Sequence, residues 1–259
     1  MTVAADGATL GLALLVGVSL GLLGGGGAIL TVPILTTVAG VEPRAAIASS
    51  LLVVGVTSAV SFVQHARAGR VRWRIGGLFG AAGAVGAVLG GLVGARLPST
   101  LLMLLLAATM VAAAIAMLRR RASAGGTARP RPRTALVLLQ GAAVGVLAGL
   151  VGAGGGFLIV PALAVLAGLP MAAAVGTSLM VIAMQTLVGL VAQPALADVP
   201  WQLVLPFTAL AVVGSAIGTA LTGRIPDRVL RRAFAALVLL VAAGITWQQL
   251  QLLVLLPLP

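Results

Sequence analysis

The feature that most constrains this 259-residue sequence is an internal duplication. Aligned at a fixed offset of 128 residues and without a gap, Gly17–Pro98 and Gly145–Pro226 share 29 identities in 82 positions. The matches include Pro33/Pro161, Ser50/Ser178, Trp73/Trp201, Phe79/Phe207, Arg96/Arg224 and Pro98/Pro226. Chance agreement between two segments rich in Ala, Leu, Gly and Val explains matched aliphatics. It does not explain Trp, Arg and Pro paired at one offset. Duplicated halves are a habit of secondary transporters.

Composition says which solvent the halves fold in. Hydrophobic residues make up 61% of the chain and charged residues 8%, with a mean hydropathy of +1.21. A soluble domain carries about 25% charged residues, so this chain cannot cover its surface with polar groups. Apolar runs of membrane-spanning length recur from end to end and predict an all-α polytopic membrane protein. The formal charge of +12 comes entirely from arginine. Its clustering between apolar runs points to loops at a lipid surface rather than to nucleic acid.

Each half contains four apolar stretches. They are Leu10–Gly40, Ala45–Ala66, Ile75–Ala95 and Leu101–Leu118, then Leu136–Gly168, Met171–Ala197, Leu203–Thr222 and Val229–Leu256. The predicted organisation is a first membrane repeat at 1–118, an Arg/Pro/Gly-rich cytoplasmic linker at 119–134 and a second repeat at 135–259. The first stretch of each half is too long for one straight crossing and too short for two. Its middle is glycine: Gly24, Gly25, Gly26 and Gly27 in one copy, and Gly152, Gly154, Gly155 and Gly156 in the other. Each glycine weakens a helix by about 1 kcal/mol relative to Ala, and Pro33 and Pro161 loosen the second arm further. A break is expected there, giving either a hairpin that enters and leaves on one side or a single broken crossing.

Arginine placement chooses between the two. Arg67, Arg70, Arg72 and Arg74 precede the third stretch, whereas the equivalent loop around Asp198 has no arginine. The second half carries its basic cluster after the third stretch instead, at Arg224, Arg228, Arg231 and Arg232. By the positive-inside rule the halves face opposite ways, which requires an odd number of crossings per half. The predicted fold is therefore two inverted-topology repeats, each a Gly-broken re-entrant hairpin plus three transmembrane helices.

A hairpin tip near the bilayer midplane must satisfy its backbone groups with protein, water or ligand. The second arm of each hairpin starts at the tip, so its N-terminal N–H groups form an anion site without a buried cation. Glycine allows the close approach. Ser49, Ser50, Thr177 and Ser178 are repeat mates near helix starts, able to bond a substrate or the tip; bonding within or between helices is the equal alternative. Gln185, an amide deep in an apolar helix, needs a partner. His65 is expected at an interface beside the arginine cluster, and His65, Glu42 and Asp198 are the candidate proton-coupling groups. Gly83, Gly86, Gly90 and Gly94 are expected to serve close helix packing. With no cysteine, one His and four acids, the chain offers neither a thiolate site nor a metal cage, and no cofactor is implied.

The segments GLLGGGGAILTVP (Gly21–Pro33) and GLVGAGGGFLIVP (Gly149–Pro161) resemble the sulfite exporter TauE/SafE family of membrane permeases. AAIASSLL (Ala45–Leu52), AAVGTSLM (Ala173–Met180) and the glycine-spaced run Gly86–Pro98, with its partial copy Gly214–Pro226, strengthen the likeness. The resemblance implies a multi-pass permease of the bacterial cytoplasmic membrane moving sulfite, sulfonates or related organic acids. The expected partners are a small anionic substrate and the lipid bilayer. An anion channel of the same fold is the alternative. An intramembrane enzyme or a purely structural protein fits less well, because catalysis needs paired acids, His clusters or an activated nucleophile.

Overall fold

The computed structural model describes residues 7–94, 96–119, 134–151, 156–191 and 198–255. Every regular element among them is helical. The chain runs α1 (Gly7–Leu23), α2 (Gly26–Pro33), α3 (Pro43–Arg67), α4 (Trp73–Gly94), α5 (Ser99–Arg119), α6 (Thr134–Val151), α7 (Gly156–Pro161), α8 (Met171–Val191), α9 (Trp201–Thr222) and α10 (Asp227–Leu255). Wider π-helical turns, Ile34–Val38 and Ala162–Leu166, follow α2 and α7 directly. The bounds repeat at the sequence offset: α4 and α9, and the two π turns, coincide after a shift of 128 residues.

The π turns have a local cause. Pro33 and Pro161 each end the preceding helix, and a proline lacks the N–H of the regular ladder and crowds the carbonyl four residues back. Both segments then stop at a left-handed glycine, Gly40 (φ 65°) and Gly168 (φ 77°). Matching hydrogen bonds close the ends: Ala39 N–H donates to Ile34 O at 3.1 Å and Ala167 N–H to Ala162 O at 3.1 Å.

Among the described residues, six helices are long and apolar enough to cross a membrane: Pro43–Arg67, Trp73–Gly94, Leu101–Arg119, Met171–Leu190, Trp201–Thr222 and Asp227–Trp247. The arms α1 and α6 are shorter apolar helices. At 17 residues α1 rises about 25 Å, less than the roughly 30 Å of a hydrocarbon core.

Packing crosses the two halves. Helix α1 runs parallel to α9, with Gly17 against Ala211 and Gly21 against Ser215, and Gly214 and Gly218 returning the contact to Leu14 and Val18. Helix α4 runs parallel to α6 in the same manner, Gly86, Gly90 and Gly94 lying on Ala142, Val146 and Leu150. A Cβ on any of these glycines would meet a backbone carbonyl of the neighbouring helix, so the expected packing role of Gly86, Gly90 and Gly94 is what the structure displays. Gly83 faces both Gln185 and Gly141. Phe79 and Phe207, matched in the sequence, are both buried at these seams. The repeat mates α3 and α8 cross antiparallel at the centre, pairing Gly189 with Leu51, Gly55 with Thr186 and Gly176 with His65. Trp73 and Trp201 start α4 and α9 with exposed rings, as membrane-interface anchors would.

Candidate functional site at the glycine elbow

The helix α1 stops at Leu23 because Gly24 takes a left-handed conformation (φ 74°), which a side chain resists. Gly25 precedes α2, and α2 folds back along α1: a Cβ on Gly27 would lie 2.8 Å from both Leu20 Cγ and Ser19 Oγ. The expected break in the first copy is therefore present. Of the second elbow, Gly152, Gly154 and Gly155 lie outside the described residues, and Gly156 begins α7.

The first elbow is seated on the second half of the chain. Gly25 rests backbone to backbone on Gly156 and Phe157, and a Cβ there would collide with the Gly156 carbonyl. A Cβ on Gly24 would lie 2.6 Å from Ser178 Oγ and 2.9 Å from Val160 Cγ2. Gly26 faces Leu237 of α10, with Leu237 Cδ2 2.8 Å from where its Cβ would be. Elements α7, α8 and α10 thus enclose a tip made in the first half.

The elbow holds two helix ends of opposite sign. The C-terminal carbonyls of α1 are its negative end, and the free N–H groups of α2 its positive end. The carbonyls are occupied. His65 Nε2 donates to Gly21 O at 3.2 Å, and the Thr222 hydroxyl lies 3.2 Å from Gly21 O and 2.9 Å from Gly218 O of its own helix.

The predicted site residues separate into groups. Gly24, Gly25, Gly156 and Ser178 come together. Ser178 is fully buried and donates to Val175 O at 2.8 Å, which leaves its lone pairs over the elbow. Ser49 donates to Ala45 O at 2.6 Å within its own helix, and Ser50 is buried beside it. Thr177 accepts the Arg72 N–H at 3.1 Å and so ties the Arg67–Arg74 loop to α8. Gln185 is half-buried and its amide nitrogen faces Gly83 of α4 rather than the elbow. Glu42 caps α3, accepting the N–H groups of Arg44 and Ala45 at 3.1 and 3.2 Å. Asp198 is exposed. His65 departs from the interfacial expectation: its ring is fully enclosed by protein, because α1 and α8 pack over the end of α3.

Sequence reasoning missed two contacts. Asp227, at the head of α10, accepts the Met171 N–H at 2.9 Å and caps α8 from another element. The signal was present in the repeat: Glu42 aligns with Pro170, so α8 lacks the carboxylate cap its mate has. Arg70 Nη1 donates to Thr219 O at 3.2 Å, meeting the carbonyl end of α9. A cavity of about 390 Å³ lies beside the same loop, lined by Arg72, Trp73, Arg74, Leu78, Thr134 and Val137, away from the elbow.

The described residues thus hold a glycine-broken arm seated on α7 of the other half, among six helices of membrane-spanning length. The family model of the sulfite exporter TauE/SafE matches residues 9–245. The chain belongs to that family. Two curated relatives, both named "Probable membrane transporter protein", come from Xylella fastidiosa strains Temecula1 and 9a5c. Each is 34% identical to this TauE/SafE chain, over 263 and 258 residues, covering 96% of it and 97% of the relative. No solved structure matches the chain. Family and relatives are named as membrane transporters and not as enzymes. The protein is a multi-pass membrane transporter of the TauE/SafE family, and the elbow is its candidate substrate site.

Proposed function

We propose that this transporter is a secondary permease for small anions, with sulfite, sulfonates and related organic acids as the substrate class, in a bacterial cytoplasmic membrane. The anion is held by backbone N–H groups where the Gly24–Gly27 and Gly152–Gly156 elbows meet, with Ser178 beside Gly24. The observation that carries this reading is the backbone seat of Gly25 on Gly156, which sets the first elbow against the start of α7, from the other sequence half, with no side chain between them. Glycine at a helix start lets an anion approach the N–H groups directly.

The two halves, 1–118 and 135–259, form inverted repeats joined by the linker at 119–134, and each contributes a re-entrant hairpin and three crossings. The antiparallel course of the mates α3 and α8 supports this. A two-fold axis in the membrane plane reverses mates, whereas one along the membrane normal keeps them parallel. Contact between Gly25 and Gly156 closes the path, and alternating access follows when the hairpins part toward one side and then the other. A singly charged anion leaving an inside-negative cell gains about 2.3 kcal/mol per 100 mV. Export therefore runs down the potential, and uptake needs a coupled cation.

Flux into proteoliposomes of the purified chain, screened over sulfite, sulfoacetate, isethionate and simple carboxylates, tests the substrate class. Saturable flux of a sulfur oxyanion is expected, and flux that rises linearly with concentration would instead make the protein a channel. The chain has no native cysteine. Asp198→Cys should label only from outside and Ala68→Cys only from the cytoplasmic face; labelling of both from one side removes the inverted repeat.

A further inference from the structure

One face of α3 carries polar groups that the transport site does not use. Thr57, Ser61 and His65 recur every four residues, and Ser58 stands with them, so the four follow one side of the helix toward the Arg67–Arg74 loop. All four are fully buried. The hydroxyl oxygens of Thr57, Ser58 and Ser61 and the Nδ1 of His65 have no hydrogen-bond partner. The mate helix α8 is different. Thr186, equivalent to Ser58, donates back to Ile182 O at 2.8 Å, and the equivalent of Ser61 is Gly189. Gln185 stands at the position of Thr57, and the equivalent of His65, Gln193, lies outside the described residues, so the contrast is at Ser58 and Ser61.

Buried polar groups without a protein partner are the places where water sits. His65 specifies what passes along that water. A carbonyl only accepts, so the ring nitrogen facing Gly21 O must carry the proton, and Nδ1 is a bare lone pair. A lone pair offers an anion nothing to bond, but it binds a proton. We propose that Thr57, Ser58, Ser61 and His65 form a hydrated proton path, and that His65 Nδ1 takes up the proton that travels with the anion. The inference rests on the anion-transport reading above.

The step balances within the row. A protonated water gives its proton to Nδ1, the imidazole lone pair forms the new N–H bond, and water is left behind. Discharge is the reverse transfer to water. Nε2–H keeps its bond to Gly21 O throughout, so protonation adds charge beside the elbow without releasing it. Gly21 is three residues before Gly24, so proton and anion each favour the other's binding by the same factor. Of the elements that meet α3, α1, α2 with its π turn, α8 and α9 contain no acidic or basic residue, whereas α4, whose Trp73 packs on Phe62, brings Arg74. Among the described residues Arg70, from the adjoining loop, is a cation close to His65: its carbonyl and His65 Cβ both border Gly176, at 3.0 and 3.1 Å from where a Gly176 Cβ would be, while the Arg70 guanidinium donates to Thr219 O. Arg70 opposes an imidazolium until the anion arrives, which ties protonation to loading.

His65 is the sole histidine, so ¹⁵N-histidine NMR of the full chain in lipid nanodiscs reads it alone. The neutral ring should be protonated at Nε2 and bare at Nδ1, and Nδ1 should gain a proton between about pH 8 and about pH 4. Water-to-ring proton exchange should slow at least about tenfold in the Thr57→Val, Ser58→Ala, Ser61→Ala triple variant, and not in Thr186→Val. Ser61→Ala alone should move the rate in the same direction if the triple variant does not fold. A ring that holds one protonation state across that range, or exchanges equally fast in these variants, overturns the path. In wild type, sulfite or sulfoacetate should shift the ring toward imidazolium. A ring that titrates through the row yet ignores both anions keeps the path and overturns the anion site. An anion that binds without changing the ring overturns the coupling.

Discussion

Glycine does two different jobs in this molecule, and the seams and the elbow separate them. Along α4–α6 and α1–α9 the glycines keep helical backbone and remove only a side chain, so that neighbouring carbonyls press against bare Cα atoms. At the elbow Gly24 leaves the helix altogether, and Gly25 meets not a seam partner but the start of α7. The same composition therefore builds rigid walls in one place and a joint in another. A wall glycine should matter to folding, an elbow glycine to transport.

The largest effect should fall on flux. Gly25→Ala drives a methyl into the Gly156 backbone, which has no side chain to rotate away. Flux per folded molecule should drop at least about tenfold, equivalent to about 1.4 kcal/mol in the transport barrier, measured in proteoliposomes normalised to folded protein. Unchanged flux would merge the elbow with the walls. Next comes Gly90→Ala, whose methyl meets the Val146 carbonyl and the Leu150 nitrogen. It should cost about 1–3 kcal/mol and lower Tm by several degrees, about 2–4 °C per kcal/mol, with flux per folded molecule preserved. Thermal unfolding followed beside flux makes that separation. The smallest effect belongs to Gly77→Ala on α4, where a Cβ meets open space. Stability should hold or rise by at most about 1 kcal/mol, the helix-propensity difference; a lower Tm would mean that lipid or a second chain presses on that face.

Much of this fold is legible because glycine and proline fix backbone locally. The offset of 128 residues transfers the bounds of α4 onto α9, and the loosening expected at Pro33 and Pro161 takes the form of a π turn after each. The break at Gly24 follows from propensity alone. What the sequence hides is which helix lies against which. The pairing of α1 with α9 takes His65 off the interface and places its ring on Gly21, and it lets Asp227 reach the start of α8. Gln185, an amide in an apolar helix, needs a partner, yet its nitrogen faces Gly83 of α4 and not the elbow. Ser178 was legible as a repeat mate, but its place over Gly24 depends on the antiparallel crossing of α3 and α8, which no local pattern encodes.

Backbone recognition of the anion is the claim on which the rest stands, and selenite tests it most directly. Selenite has the shape and charge of sulfite and scatters anomalously, so a crystal of the full chain grown with it reports the anion's position without modelling bias. The account predicts a selenium peak between the two elbows, within hydrogen-bond reach of the Gly26 and Gly27 N–H groups. A peak confined to the arginine-lined cavity beside Trp73, with Gly25 still seated on Gly156, would contradict it.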